Sequence, residues 1–297
     1  MNIRARRAAA AYIGAVTLAL TCLAALGAAG ARAQAADEPA SSIELIDPRV
    51  FRVCADPRNM PFSTQSEEGF ENKLAALFAA KLGKSLAYVW YPGAVGFVRN
   101  TLNAHRCDVI MGFPQGNDLA QTTNPYYRTA YSLVFKPGTG LDAVDTLSDP
   151  VLKEKRIGIV AGTPPATYMA VNGLLPRAKS YPLAIDTRTD SSVEAMIKDI
   201  ESGEIDLGVL WGPMAGYYAK KANPALKVVP LLKETGGPRL SYRIAMAVRP
   251  ADQEFKRLLN RMIQENQTEI NALLLSFGVP LLDEKNQLIA EASQGKP

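Results

Sequence analysis

The stretch VCADPRNMPFS, from Val53 to Ser63, decides how the rest of the chain is interpreted. It starts as a short apolar strand and then enters a polar loop that is bracketed by Pro57 and Pro61. Prolines stiffen such a loop, and Asp56 and Asn59 are residue types that close turns. In open α/β sheets, ligands gather beyond the carboxyl ends of the strands. The loop is therefore a candidate binding segment.

Downstream of this loop, helical and strand patterns alternate. Apolar residues at helical spacing indicate helices, and short apolar runs bounded by turn residues indicate strands. The first half offers a helix, a strand, a helix and a strand in GFENKLAALFAAKLG (69–83), LAYVW (86–90), FVRNTLNAHR (97–106) and CDVIMG (107–112). The second half alternates strand and helix in RIGIVAG (156–162), ATYMAVNGLL (166–175), AIDTR (184–188), SSVEAMIKDIESG (191–203) and IDLGVL (205–210). This α/β alternation predicts parallel strands with right-handed helical crossovers.

Two extended segments, 131–140 and 242–250, separate the halves and predict a two-strand hinge between two α/β lobes. Residues 252–278 predict a helix that packs back on the first lobe. Polar terminal residues of this kind are commonly frayed. The expected organisation is a signal peptide at 1–35, lobe 1 at 50–134 plus 244–284, lobe 2 at 135–243 and a flexible tail at 285–297.

Residues 1–35 have the three parts of a secretory signal peptide. Arg4, Arg6 and Arg7 precede an Ala/Leu-rich run, and ARAQA (31–35) supplies small residues for cleavage. A membrane anchor is the alternative, and the Arg6-Arg7 pair allows a twin-arginine signal. Cleavage predicts a periplasmic protein without a stable membrane anchor.

The leader also carries the basic excess of the chain. Of 33 basic residues the leader removes four, Arg4, Arg6, Arg7 and Arg32, which leaves 29 against 29 acidic residues. A formally neutral chain without a polybasic run has little with which to neutralise phosphates. The composition therefore argues against nucleic acid as a partner.

Cys54 and Cys107 remain after cleavage. In an oxidising compartment such a pair predicts a disulfide, and two buried free thiols are the alternative. With one histidine in the chain, a zinc site of the usual ligand types is hard to assemble. We therefore predict no bound metal and no cofactor.

Seven segments resemble the bacterial extracellular solute-binding protein family 3, the amino-acid-binding type, from about Arg52 to Pro280. They are RVCADPRNMPFS, GFENKLAALFAAKLG, RCDVIMG, NPYYRTAYSLVFK, KRIGIVAGT, IESGEIDLGVL and YRIAMAVR. The resemblance implies the type II periplasmic binding protein fold, a clamp that closes on a solute. It also implies an arginine that grips the ligand carboxylate and an aspartate that grips its ammonium group.

Neither of these two charged groups matches here. The chain has FPQGNDLAQTTNPYY (113–127) at the arginine position and Trp211-Gly212-Pro213 at the aspartate position. Leaving one partner of a buried ion pair alone costs about 3 to 5 kcal/mol, on the order of hundred- to thousand-fold in affinity. We therefore expect no ordinary amino-acid binding. Arg58, Arg99 or Arg128 are candidates to replace the arginine, and no acid is an evident replacement for the aspartate.

The segments RVCADPRNMPFS, GFENKLA, WYPGAVGFVRNTLNAHRCDVIMG and NPYYRTAYSLVF resemble most closely the MxaJ/XoxJ proteins, with the XoxJ branch favoured. These are binding-protein-like accessories of quinoprotein methanol dehydrogenases and their cytochromes. The resemblance implies a non-catalytic factor that binds the dehydrogenase, with its cytochrome c as a further partner, and assists maturation or activation. The pyrroloquinoline quinone and metal are held by the dehydrogenase. An importer's receptor for a small, relatively apolar solute is the alternative.

The loop residues and the aromatic and basic residues near strand ends are candidates for lining the cleft or contacting a partner. A turn, a core position or a solvated surface is the alternative for each. The candidates are Asp56, Arg58, Asn59, Phe62, Trp90, Tyr91, Phe97, Arg99, Phe113, Tyr126, Tyr127, Arg128, Thr163, Trp211 and Tyr217.

Catalytic residues are not predicted, although this fold occasionally hosts enzymes. His105 lies between a predicted helix end and a strand start, away from the expected cleft, so no Ser-His-Asp or Cys-His set is available there. Glu67, Glu68 and Glu71 open a helix, where acids suit the helix dipole. That is their predicted role.

Overall fold

A computed structural model describes residues 44–183 and 189–289 of the chain. The predicted signal peptide, the strand predicted at 184–188 and the tail beyond residue 289 lie outside these ranges. No helix within them has the length and apolar character that crossing a membrane requires.

Eleven strands are described, numbered in chain order: β1 (Val50–Ala55), β2 (Arg58–Asn59), β3 (Ser63–Thr64), β4 (Ser85–Trp90), β5 (Val109–Pro114), β6 (Gln121–Phe135), β7 (Ile157–Val160), β8 (Ala178–Tyr181), β9 (Leu207–Trp211), β10 (Lys227–Pro230) and β11 (Ser241–Val248). The helices are α1 (Phe70–Lys81), α2 (Phe97–Asn100), α3 (Pro165–Val171), α4 (Ser192–Ser202), α5 (Gly212–Lys221), α6 (Gln253–Glu265) and α7 (Gln267–Ser276), with 3-10 turns at Pro150–Glu154 and Leu175–Arg177.

The first lobe is built on β1, which pairs in parallel with both β4 and β5. Strand β11 then runs antiparallel to β5. Helix α1 covers one face because Phe70, Leu74 and Phe78 recur at helical spacing and are all buried there. The predicted strand–helix–strand order of this lobe is therefore confirmed.

The second lobe repeats this arrangement, with β7 lying in parallel between β8 and β9. Helix α4 begins where Ser191 Oγ accepts a hydrogen bond from the backbone N–H of Glu194 (3.2 Å). It ends at Gly203, whose left-handed φ of 78° suits glycine. Met196 and Ile200 of this helix are buried against Gly158 and Gly208 in the strands.

Two connections join the lobes, the long strand β6 and a returning segment that leads into β11. Strand β6 pairs with β11 as far as Ala130 and with β9 from Tyr131 onward, antiparallel in both cases. The backbone of Tyr131 donates to the carbonyl of Leu240 (3.0 Å) and accepts from the N–H of Leu231 (2.8 Å), so it contacts both ends of the returning segment. The predicted two-strand hinge is thus centred on Tyr131.

The lobes also meet where helix α5 touches the turn after helix α7. A Cβ at Gly216 would lie 1.7 Å from the carbonyl oxygen of Gly278, so the two backbones are in direct contact. The rings of Tyr217 and Phe277 stack beside this contact, with centroids 6.0 Å apart. Only glycine permits so close an approach.

A buried ion cluster fixes the beginning of the described chain to the first lobe. The guanidinium of Arg249 lies 3.1 Å from Asp108 and 2.8 Å from Asp252, and all three side chains are buried. It also donates to the carbonyl of Glu44 (3.1 Å). The carboxylate of Glu44 in turn accepts from backbone N–H groups at the start of α6, including that of Phe255 (3.2 Å).

Four local predictions are wrong or incomplete. The helix predicted at 97–106 is helical only over Phe97–Asn100, and turns follow in which His105 adopts a φ of 51°. The long C-terminal helix breaks at Asn266 into α6 and α7. Helix α5 was not predicted, because its GPMAG start resembles a loop although proline fits the first turn of a helix. Strand β8 at Ala178–Tyr181 was also not predicted, and the strand predicted at 184–188 lies outside the described residues.

Candidate functional site

A cavity of about 820 Å³ lies between the lobes, at the carboxyl ends of β1, β5, β7 and β9. This is where open α/β sheets bind ligands, and the volume is that of a small-molecule pocket. Both lobes contribute to its wall. The predicted residues that line it are Asp56, Arg58, Asn59, Phe62, Phe97, Phe113, Tyr127, Thr163 and Trp211.

Six predicted residues lie outside this wall: Trp90, Tyr91, Arg99, Tyr126, Arg128 and Tyr217. Trp90 stacks on Tyr88 at 4.5 Å between ring centroids, and Tyr126 is fully buried and donates to the carbonyl of Met111 (2.9 Å). Tyr217 stacks on Phe277 beside the contact between Gly216 and Gly278.

The other three make local contacts. The hydroxyl of Tyr91 accepts from Asn100 Nδ2 (2.9 Å), Arg128 donates to Asn286 Oδ1 (2.9 Å), and Arg99 is exposed. None of the three lines the cavity, and their roles as partner contacts stay predictions.

The loop after β1 is both a closed turn and part of the wall. The buried carboxylate of Asp56 accepts from the backbone N–H groups of Arg58 (2.7 Å) and Gly93 (2.5 Å). Ser63 Oγ donates to the Asp56 carbonyl (2.9 Å), which closes the loop. The loop is therefore a closed turn that also lines the cavity, and its role as a ligand or partner contact stays a prediction.

The aromatic part of the wall is centred on Trp211, at the end of β9. Its ring lies 5.2 Å from that of Tyr131 and 5.7 Å from that of Tyr242, measured between centroids. All three side chains are half-buried and line the cavity. Because Tyr131 sits at the hinge, this group of three rings connects the cavity with the segment that joins the lobes.

Glu71 is the principal residue that sequence reasoning misplaced. It was assigned to the helix dipole, and it does lie in the first turn of α1, but its half-buried side chain lines the cavity. A Cβ at Gly112 would lie 2.0 Å from Glu71 Oε1, so the carboxyl group occupies space that the glycine leaves open. Burial, with repulsion from Asp56 in second place, raises the pKa of Glu71 to about 8.

The position of Glu71 is fixed by the packing of its helix against the loop. Asn72 Oδ1 accepts from the backbone N–H groups of Thr64 (2.9 Å) and Gly69 (3.1 Å), which ties the helix start to β3. The backbone N–H of Glu71 donates to the carbonyl of Phe62 (2.9 Å). The start of helix α1, and with it the backbone of Glu71, is therefore fixed against the loop.

The second lobe adds two more carboxylates, Asp190 and Glu194. Glu194 accepts a hydrogen bond from the hydroxyl of Tyr218 (3.1 Å), and it contributes to raising the pKa of that tyrosine after burial. Among the described residues of the wall there are thus four acids and one base, Arg58. Of these acids, the sequence analysis placed only Asp56 among the cleft candidates, and Glu71, Asp190 and Glu194 are additions to the predicted set.

The predicted disulfide is confirmed. Cys54 of β1 and Cys107, just before β5, are bonded with their Cα atoms 5.5 Å apart, and both are buried. The bond closes a loop with a sequence separation of 53 residues and ties together two strands whose ends form the cavity wall. In the described ranges, no group of three or more His, Cys, Asp or Glu side chains is arranged to hold a metal ion.

Two α/β lobes, a two-strand hinge and a cavity at the facing strand ends define a periplasmic binding protein of type II. The comparisons with known proteins agree. Over 79% of this chain and 100% of the other, it is 40% identical to the periplasmic binding protein XoxJ from Methylobacterium extorquens AM1, with a TM-score of 0.68. MxaJ from Methlophaga aminisulfidivorans MPT is 28% identical over 78% of this chain and all of that one, with a TM-score of 0.67.

Among curated sequences, protein MoxJ of Methylorubrum extorquens AM1 is 29% identical over 96% of this chain and 99% of its own length. No protein-family model matches the chain. The chain belongs to the XoxJ/MxaJ family of periplasmic binding-protein-like proteins, as the sequence predicted. The identity to XoxJ is higher than that to MxaJ, in line with the predicted branch.

Proposed function

We propose that this chain is a non-catalytic accessory factor of the periplasm that binds a quinoprotein methanol dehydrogenase and assists its maturation or activation. The observation that carries the proposal is the 40% identity to XoxJ over the full length of that protein. The sequence segments that resemble this family link it to methanol dehydrogenases and their cytochromes, and the cytochrome c is a second partner. In the XoxJ branch the expected dehydrogenase is lanthanide-dependent, and its quinone and metal stay with the dehydrogenase.

Two further observations support this role. The Cys54–Cys107 disulfide suits an oxidising compartment such as the periplasm, to which the predicted signal peptide directs the chain. At the end of β9, the aspartate that would hold an amino-acid ammonium is replaced by Trp211, which packs between two tyrosines. Aromatic residues of this kind are enriched in protein interfaces. The docking surface we propose therefore includes the mouth of the cavity.

The test is recovery of the dehydrogenase on the tagged mature chain from methanol-grown cells, followed by binding measurements with purified dehydrogenase. Trp211→Ala and Trp90→Ala make a matched pair, because both remove a half-buried indole and only Trp211 lines the cavity. We expect Trp211→Ala to weaken binding by about tenfold or more, as loss of an interface anchor does, and Trp90→Ala to leave it unchanged. Failure to recover any dehydrogenase contradicts the proposal, and equal loss in both variants contradicts docking at the cavity.

A second candidate function is that of an importer's receptor for a small, relatively apolar solute. The cavity favours it, because about 820 Å³ lies within the range of small-molecule pockets. Calorimetry with a panel of metabolites, combined with small-angle scattering to follow hinge closure, distinguishes the two. A micromolar ligand that closes the cleft, together with no binding of dehydrogenase, supports the receptor.

A further inference from the structure

The charges and rings of the cavity wall select a particular kind of ligand. Each lobe presents two carboxyl groups, Asp56 and Glu71 from the first lobe and Asp190 and Glu194 from the second. The same wall contains the half-buried rings of Trp211, Tyr131 and Tyr242, referred to below as the Trp211 group. Carboxylates attract cations, and the faces of indole and phenol rings do so as well.

Three of these carboxyl groups already have hydrogen-bond donors. Asp56 is held by two backbone N–H groups, Glu194 accepts from the Tyr218 hydroxyl, and Asp190 accepts from the Thr189 hydroxyl (2.8 Å). No donor to the Glu71 carboxyl group is found among the described residues. Glu71 therefore has hydrogen-bond capacity directed into the cavity that a ligand can use.

We propose that the cavity binds an organic monocation, an ammonium or guanidinium group on an apolar stem, with Glu71 as its hydrogen-bonding counter-charge and the Trp211 group around the stem. This inference rests on the proposed function only because both take the cavity as the functional site. A zwitterion fits less well, because its carboxylate would face four acids and one arginine among the described residues of the wall. An anion fits least well for the same reason.

The protonation of Glu71 gives this proposal a second readout. Asp56, at the end of β1, adds to burial in raising the pKa of Glu71. Tyr88 of β4 and Tyr126 and Tyr127 of β6 lie near enough that Glu71, after burial, contributes to raising their pKa values. A cation beside the carboxyl group favours its ionised form. Since the pKa of Glu71 is raised to about 8, cation binding near neutral pH should release a proton, and affinity should rise with pH up to about that value.

Four probes with one aromatic body separate the headgroup charges: phenethylammonium, 2-phenylethanol, 3-phenylpropanoate and phenylalanine. Titration of the mature chain, followed by protein NMR and calorimetry, should show phenethylammonium binding about tenfold or more tightly than the alcohol, the gain expected for a hydrogen bond to a charged group. The anion and the zwitterion should bind more weakly than the cation. Equal affinities, a preference for the anion or zwitterion, or no binding of any probe overturns the proposal.

Two variants locate the cation within the cavity. Glu71→Gln keeps the shape of the side chain and removes its charge, so it should cost phenethylammonium about tenfold, abolish proton release and leave the alcohol unchanged. Gly112→Ala should likewise lower the affinity for phenethylammonium and leave that for the alcohol unchanged, because its methyl group fills the space of the carboxyl group. Glu68→Gln, at an exposed site in the same segment, is the control and should change nothing. Unchanged cation affinity in Glu71→Gln contradicts the assignment.

The source of the cation is settled with the dehydrogenase. If phenethylammonium competes with dehydrogenase binding, the natural cation is a lysine or arginine side chain of the partner; if both bind together, it is a free small amine. Cation selectivity without any dehydrogenase binding overturns the proposed function and leaves this inference standing. Dehydrogenase binding with no cation selectivity overturns this inference and leaves the proposed function standing.

Discussion

Replacing Glu71 by glutamine should remove a pH dependence of folding stability. The ordinary pKa of a glutamate is 4.5, and burial raises that of Glu71 to about 8, with Asp56 adding to the shift. Between these pH values the folded chain keeps a proton on Glu71 that the unfolded chain has released. Because the folded state then binds more protons, the free energy of unfolding falls as the pH rises from about 4.5 to about 8.

The size of the effect follows from the position of the carboxyl group. The shift from 4.5 to about 8 would correspond to about 5 kcal/mol, at about 1.4 kcal/mol per pKa unit. Since Glu71 is half-buried and faces an open cavity, solvent screening reduces this figure, and we expect roughly 2 to 3 kcal/mol. The variant should therefore match the parent near pH 4.5 and exceed its stability by this amount near pH 8.

Urea unfolding measures this directly, with the fluorescence of Trp90 and Trp211 as the signal. Curves are collected from about pH 4.5 to pH 9 for the parent, for Glu71→Gln and for Glu68→Gln as the exposed control. The difference in the free energy of unfolding between the parent and Glu71→Gln should grow as the pH rises, while the difference between the parent and the control should stay constant. Parallel curves for the parent and Glu71→Gln over the whole range would refute the reasoning.

Three further perturbations test the framework around the cavity. Replacing both Cys54 and Cys107 by serine opens a loop with a sequence separation of 53 and should lower the free energy of unfolding by about 3 to 4 kcal/mol, measured by urea unfolding with and without reductant. Gly216→Ala forces apart two touching backbones and should cost about 1 to 3 kcal/mol, seen as a lower Tm in calorimetry. Arg249→Met leaves two carboxylates buried without their partner and should cost about 3 to 5 kcal/mol; Arg257→Met, an exposed pair at the surface, should change stability by less than about 1 kcal/mol.

The fold was readable from the sequence because its signals are local and repeated. Helix α1 and helix α4 carry apolar residues at helical spacing between clear start and stop residues, and short apolar strands separate them. The disulfide was also predictable, since only two cysteines follow the leader. The lobe boundaries stay predictions, because β6 belongs to the sheets of both lobes and has no sequence break at Tyr131.

The errors share a physical cause. A proline and two glycines at the start of α5 are loop signals in isolation, and tertiary packing against Gly278 and the β6 strand makes this segment helical. The region 101–106 has helix-forming alanine and leucine, yet it ends in turns with a left-handed His105. Such contacts involve residues far away in the chain, so they leave no signal in the local periodicity of the sequence.

Glu71 shows why the site was harder to predict than the fold. Its place in the first turn of a helix matches the dipole rule, which was applied to three neighbouring acids together. What distinguishes it from Glu68 is Gly112, a residue on another strand that leaves room for a carboxyl group. The signal available in the sequence was the glycine in the otherwise apolar strand VIMGFP, since an isolated glycine there marks a close approach by another group.

The main-chain contact between Gly216 and Gly278 limits how the two lobes can move relative to each other. With no side chain between them, the two backbones cannot move nearer at that point, so a narrowing of the cleft has to leave this contact distance unchanged. The closest approach of the lobes at this point is therefore set by backbone atoms and not by side chains. A larger residue at either glycine would hold the two segments further apart.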